Sequence, residues 1–183
     1  MKKQFILVLV CLFISSVVVG CGSSDSKKDE LKTFTPEGKN FSADFPGDPK
    51  ADSFTVESPY GEQVTDTYIY EGKYTMLSLS STELPDALLL LDHGIILTNS
   101  ANGAVINAKG TDQEITDITV LDQPAKSYKC SIKTPEDQTL IIEGHVVIID
   151  KTLYTLQYMS DEKNWDKYKE ERETFFNSLA VNK

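Results

Sequence analysis

The stretch HVVIIDKTLYTLQYM (residues 145–159) decides the fold. Two runs rich in β-branched and aromatic side chains flank Asp150-Lys151, and a short polar break between such runs is the signature of a β-hairpin. Upstream, AKSYKCSIK (125–133) alternates Tyr128, Cys130 and Ile132 with Ser127, Lys129 and Ser131, so Cys130 is expected on the buried face of a strand. Strands are predicted over 115–121, 125–133, 140–150 and 152–159, with Asp122-Gln123-Pro124 as a second hairpin turn. Further back, SFTVESPYGEQVTDTYIYEGKYTMLSLSST (53–82) reads as three more strands, rich in Val, Thr and Tyr as a half-buried pleated surface favours. They turn at Pro59-Tyr60-Gly61 and Glu71-Gly72-Lys73. A short extended run holds Phe41 and Phe45 between Gly38 and Pro46-Gly47.

Between the two groups of strands the period changes. Leu84, Leu88, Leu91, Ile95 and Thr98 recur at three- and four-residue spacing, which predicts a helix over 85–102 with Gly103 as its stop. Leu89, Leu90, Ile96 and Leu97 widen its apolar arc, so most of it should be covered. Near the C-terminus Trp165, Tyr168, Arg172, Phe175, Phe176 and Leu179 follow the same rhythm and predict a second helix, with Trp165 as a core anchor. Consecutive hairpins argue for an antiparallel sheet, against which each helix buries a stripe: an α+β chain with one folded domain.

The N-terminus carries its own signals. Met1, Lys2 and Lys3 precede a nearly unbroken apolar run over 5–19, the pattern of a secretory signal over residues 1–20. A membrane-spanning helix needs about 20 apolar residues, whereas this run is shorter and contains Ser15 and Ser16. Val18-Val19-Gly20-Cys21 resembles the lipobox of bacterial lipoproteins. That resemblance implies cleavage between Gly20 and Cys21, diacylglyceryl transfer to the Cys21 thiol, and anchorage on the extracytoplasmic face of the cell membrane. Burying acyl chains such as palmitate contributes about 0.8 kcal/mol per CH₂. GSSDSKKDE (22–30) has nothing apolar to pack, so 21–32 is expected to be lipidated Cys21 and a flexible tether, with the domain over 33–183. Gly22-Ser23-Ser24 after the cysteine resembles Gram-positive lipoproteins, which implies that kind of envelope.

The net charge is −10, and loss of residues 1–20 removes Lys2 and Lys3 and no acid, making it −12. That disfavours nucleic acid as a partner and offers no attraction to anionic headgroups. With Cys11 in the signal and Cys21 lipidated, Cys130 stands alone, so no intramolecular disulfide staples the domain.

Four stretches together resemble the PsbP-like superfamily, named for an extrinsic subunit of photosystem II, whose fold is shared with a Ran-binding nuclear import factor and many bacterial lipoproteins. They are TPEGKNFSADFPGDPK, LDQPAKSYKCSIK, HVVIIDKTLYTLQYM and RETFFNSLAV. The matching positions are Phe41, Ser42, Phe45 and Pro46; Pro124 and Ala125; Tyr154; and Phe175, Phe176 and Ser178, over about 33–181. The resemblance implies an antiparallel sheet with helices on both faces, an α/β/α sandwich, and no catalytic residues. Nothing in the chain ties it to photosystems or to a GTPase.

Catalytic patterns are absent from the sequence. No HExxH or HxxxH spacing joins His93 and His145, which fall in a helix and a strand; no GxSxG, Gly-rich phosphate loop or dinucleotide fingerprint occurs. TDQEITD (111–117) has three carboxylates without EF-hand order and reads as a solvated loop and strand start. No metal or cofactor is expected. Tyr68, Tyr70 and Tyr74 share parity along one hairpin and form a candidate interaction patch. Two functions are therefore weighed. One is a non-catalytic binding or assembly module for an envelope protein, expected to lack a convergent polar pocket. The other is an extracytoplasmic metal-dependent factor or hydrolase, in which His93 or His145 meets carboxylates from other strands in a cleft.

Overall fold

Seven antiparallel strands grow outward from the Asp150-Lys151 turn. The computed structural model describes residues 30–58 and 60–182. Gly20, Cys21 and the tether through Asp29 lie outside them. In chain order the elements are β1 (Lys32–Phe34), β2 (Phe41–Phe45), β3 (Lys50–Ser58), β4 (Gly61–Glu71), β5 (Thr75–Glu83), α1 (Asp86–Leu89), α2 (His93–Asn107), β6 (Thr111–Val120), β7 (Gln123–Lys133), β8 (Thr139–Ile149), β9 (Thr152–Asp161), α3 (Lys169–Asn177) and β10 (Ala180–Val181). The large sheet has the order β3-β4-β5-β9-β8-β7-β6, and β1-β2-β10 form a separate small sheet. At the founding hairpin Ile149 faces Thr152, and Asp150 adopts φ 54, which an Asp tolerates.

Alternation along the strands gives the large sheet two apolar faces. On the first, Tyr68, Leu77, Leu79, Val147, Tyr154, Leu156 and Tyr158 pack beneath the small sheet and α3. FSADF supplies Phe41, Ala43 and Phe45, with Phe41 edge-on to Tyr154 at 5.3 Å and Phe45 to Phe175 at 5.4 Å. FFNS closes this layer: Phe175 and Phe176 are buried, and the Asp44 amide donates to Ser178 Oγ at 2.8 Å, joining the end of α3 to β2. On the second face, Ile96, Leu97, Ala101 and Val105 of α2 cover Tyr128, Cys130, Ile142, Val146 and Ile148. The result is the sandwich with helices on both faces, and Cys130 is buried as its alternation predicts.

Local differences from the sequence expectations have identifiable causes. The helix expected over 85–102 is two helices, because the Asp92 carboxylate accepts from the Ile95 amide at 3.3 Å and caps a new start. Gly103 does not stop α2. The buried stripe continues through Val105, and the helix ends in a Schellman turn in which Lys109 takes φ 55 and the Gly110 amide donates to the Val105 carbonyl. The β6–β7 turn is Leu121-Asp122, both at positive φ (48 and 59), whereas Gln123 and Pro124 already belong to β7, with Pro124 opposite Thr119. TDQEITD is strand with a bulge between Thr111 and Glu114, not loop. The C-terminal helix starts at Lys169, and Trp165 anchors the core from the turn before it. Among the described residues no helix is long and apolar enough to cross a membrane.

Leucine at the first position of a left-handed two-residue turn is unfavourable, and Leu121 is half exposed, so little packing depends on it. Leu121→Asn is expected to stabilise the domain by about 0.5–1 kcal/mol. A higher urea midpoint at unchanged slope is the check; a lower midpoint would show that Leu121 packing outweighs the backbone term.

Candidate functional site

On the first face the pleat that buries Val147 also points residues 114, 127, 129, 143 and 145 to the same side. Strand pairing sets them in two rows: Glu114 faces Lys129, which faces Glu143, and Thr116 faces Ser127, which faces His145. Glu114, Thr116, Ser127, Lys129 and Glu143 line a recess of about 230 Å³. This is a convergent polar pocket, contrary to the expectation for a binding module, and it arises where β6–β8 extend past the cover of α3 and the small sheet.

Two of the lining residues, Lys129 and Glu143, are contacted by α3 and the turn before it. Arg172 is buried, with its Nε 3.2 Å from Glu143 Oε2 and its Nη1 donating to the Trp165 carbonyl at 2.9 Å. Its guanidinium lies 3.8 Å over the Trp165 ring, and Lys129 Nζ lies 5.1 Å from the same ring, so Trp165 is faced by two cations. One turn after Arg172, Phe176 stacks on the His145 ring at 4.0 Å, and His145 Nε2 is 3.8 Å from Glu143 Oε1. Tyr158, opposite Glu143 on β9, donates to Glu171 Oε1 at 2.9 Å; burial and the Glu171 charge push its phenol pKa up.

Burial pushes the Glu143 carboxyl up, but His145 beside it and the charges of Arg172 and Lys129 pull it further down, leaving it below the ordinary glutamate value. A carboxylate held ionised is suited to binding charge and unsuited to donating a proton at neutral pH. Ser127 lies opposite His145, yet no hydrogen bond joins them among the described residues, so no nucleophile–base pair is formed. Nor do three or more His, Cys, Asp or Glu side chains gather as metal ligands among those residues.

The other candidates fall elsewhere. His93 is exposed at the start of α2, on the opposite side of the sheet from His145, and the two do not meet. The tyrosines form no exposed stripe. Tyr68 is buried 5.5 Å from Phe34 and 6.0 Å from Phe41, Tyr70 packs half-buried against the first core, and only Tyr74 is exposed, 6.5 Å from Tyr168. The hairpin is covered by β1 and β2, which a parity argument does not foresee. Sequence reasoning missed Glu114, Lys129 and Glu143 as a group, although odd numbering on β7 and β8 already separates Lys129, Glu143 and His145 from buried Tyr128, Cys130 and Ile142.

No family model and no curated protein matches this chain. Among solved structures, the cyanobacterial PsbP (CyanoP) of Synechocystis is similar with a TM-score of 0.53 and 14% identity, covering 88% of this chain and 97% of that one. A Pseudomonas aeruginosa protein of unknown function is similar at TM-score 0.48 and 8% identity over 84% of this chain and 98% of its own. LpqN, involved in cell envelope biogenesis of Mycobacterium tuberculosis, is similar at TM-score 0.45 and 13% identity over 84% of this chain and 91% of its own. The two lower scores carry no argument, and the first, at its identity, speaks to architecture alone. Two helix-covered faces, a separate FSADF layer and the match to CyanoP make this a PsbP-like α+β fold.

Proposed function

We propose that this protein is a lipid-anchored module of the cell envelope that binds rather than catalyses. Diacylglyceryl-Cys21 tethers it to the extracytoplasmic face of the membrane, and the β6–β8 recess holds an envelope partner in a binding or assembly role. The observation that supports this is the row Glu114–Lys129–Glu143 with Arg172 behind it: alternating charges drawn from three strands and a helix, with Glu143 paired to Arg172 and Lys129 over the Trp165 ring. Preorganised charge favours recognition and register of a charged partner. The anchor rests on the lipobox alone.

Two measurements test the proposal. Mass spectrometry of the mature N-terminus is expected to find diacylglyceryl-Cys21, and Cys21→Ser is expected to move the protein to the soluble fraction. Lys129→Glu turns the row uniformly acidic and is expected to lower co-purification of the native envelope partner at least tenfold, with unchanged circular dichroism. Turnover of an ester or peptide substrate that disappears in His145→Ala would overturn the non-catalytic reading.

A further inference from the structure

The apolar segment LLLLDHGII (88–96) is only partly used by the fold. Leu88 and Leu89 pack against the second core, and Ile96 and Leu97 are buried in it. Leu90, Leu91 and Ile95 are left 88%, 43% and 58% exposed at the corner where α1 gives way to α2. Scattered apolar side chains on a surface need no explanation, but three within six residues form a patch that the domain's own packing does not account for.

The charge around that patch is one-sided. No lysine or arginine lies between Lys73 and Lys109, whereas Glu83, Asp86 and Asp92 flank the corner and are exposed. Lys151 reaches Asp86 at 2.7 Å from the β8–β9 turn, and Asp150 beside it cancels that addition.

The position of the corner relative to the tether is also defined. The chain enters the fold at Lys32, opposite Phe45, and Gly47 two residues on lies against the Tyr70 ring, close to the β4–β5 turn. The α1–α2 corner follows Glu83, at the far end of β5, a strand of nine residues and so about 30 Å long. The corner therefore lies at the opposite end of β5 from the point where the tether joins the fold.

We propose that the α1–α2 corner, with Leu90, Leu91 and Ile95 as apolar anchors inside a rim formed by Glu83, Asp86 and Asp92, docks an apolar segment flanked by lysines or arginines on another envelope protein, at the end of the domain remote from the tether's entry. The envelope setting rests on the Cys21 anchoring proposed above; the chemistry of the partner does not. An anionic lipid surface is disfavoured by the carboxylate rim. A second copy of this chain is disfavoured because it would bring the same carboxylates face to face.

The test uses the full lipidated chain in phosphatidylcholine vesicles and three helical probe peptides: Leu/Lys amphipathic, Leu/Glu amphipathic, and Ala/Lys with the charge of the first. The Leu/Lys peptide is expected to bind, the other two to bind at least tenfold more weakly, and the triple variant L90S/L91S/I95S to lose at least tenfold in affinity for it. Ile106→Ser, at the exposed far end of α2, is the control and should change nothing. The proposal is overturned if the triple variant binds the Leu/Lys peptide as the parent does. It is equally overturned if the triple variant instead loses binding to added phosphatidylglycerol vesicles or loses a dimer present in the parent. Flotation of Cys21→Ser with the vesicles would overturn the anchoring reading separately, whatever the peptides show.

Discussion

Gly144→Ala is expected to cost the domain about 3 kcal/mol, the upper end for overpacking a core. Gly144 is the direct cross-strand partner of Tyr128 in the middle of the sheet, and the tyrosine ring lies down over the space a side chain would take. A Cβ at residue 144 would stand 2.3 Å from Tyr128 Cζ and 2.4 Å from its hydroxyl oxygen. The ring cannot swing away, because it is fully buried beneath α2 with Cys130 and Ile142 beside it. Its hydroxyl has no hydrogen-bond partner among the described residues, so it is the shape of the ring that matters here. Tyr128→Val alone should cost a similar amount by opening a cavity. The double variant should cost clearly less than the two single losses together, since the new methyl occupies part of the vacated space. Urea unfolding of the four proteins reads the coupling. Strict additivity would show that the glycine is retained for backbone reasons and not for the ring.

Arg172→Met is the second large effect, expected to cost about 3 kcal/mol or more. The substitution preserves much of the aliphatic stem over Trp165 while removing the guanidinium that faces Glu143 and the Trp165 carbonyl. It leaves a half-buried carboxylate without its strongest cation. The pH dependence follows from the depressed Glu143 pKa. Because the folded state holds this carboxyl below its ordinary value of 4.5, the unfolded chain binds the proton more readily. The stabilisation is complete above that value and is lost as pH falls through the lower, folded value. Without Arg172 the downward pull on the carboxyl is weaker, so less stabilisation is lost when it takes up a proton. The stability gap between the parent and Arg172→Met should therefore narrow as pH falls below 4.5, and Glu143→Gln should lack this component of the acid limb. A gap that stays constant with pH would mean that Arg172 acts through Trp165 and packing, and that its pairing with Glu143 contributes little.

Parts of this were legible in the sequence because they depend on neighbours along the chain. The Asp150-Lys151 hairpin, the alternation that buries Tyr128 and Cys130, and Arg172 on the buried stripe of the last helix follow from periods of two and of three to four. The break at Asp92 did not show, because a run apolar on all sides has no phase to interrupt. The Leu121-Asp122 turn was obscured by Pro124, a turn former by habit that sits here in the second position of a strand. The tyrosines of β4 looked like a surface until β1 and β2 covered them.

The sequence by itself determined the α+β class, the antiparallel pairing and the apolar positions of the two cores, since local hydrophobic periodicity selects element type and buried face. Only the tertiary structure decided which polar residues meet. Glu114, Lys129, Glu143 and Arg172 lie far apart along the chain and become neighbours through strand register and the seating of α3. A slip of one residue in either pairing would turn these side chains to the opposite face. Electrostatic contact decays over a few ångströms, and distance in space is what the one-dimensional pattern does not carry.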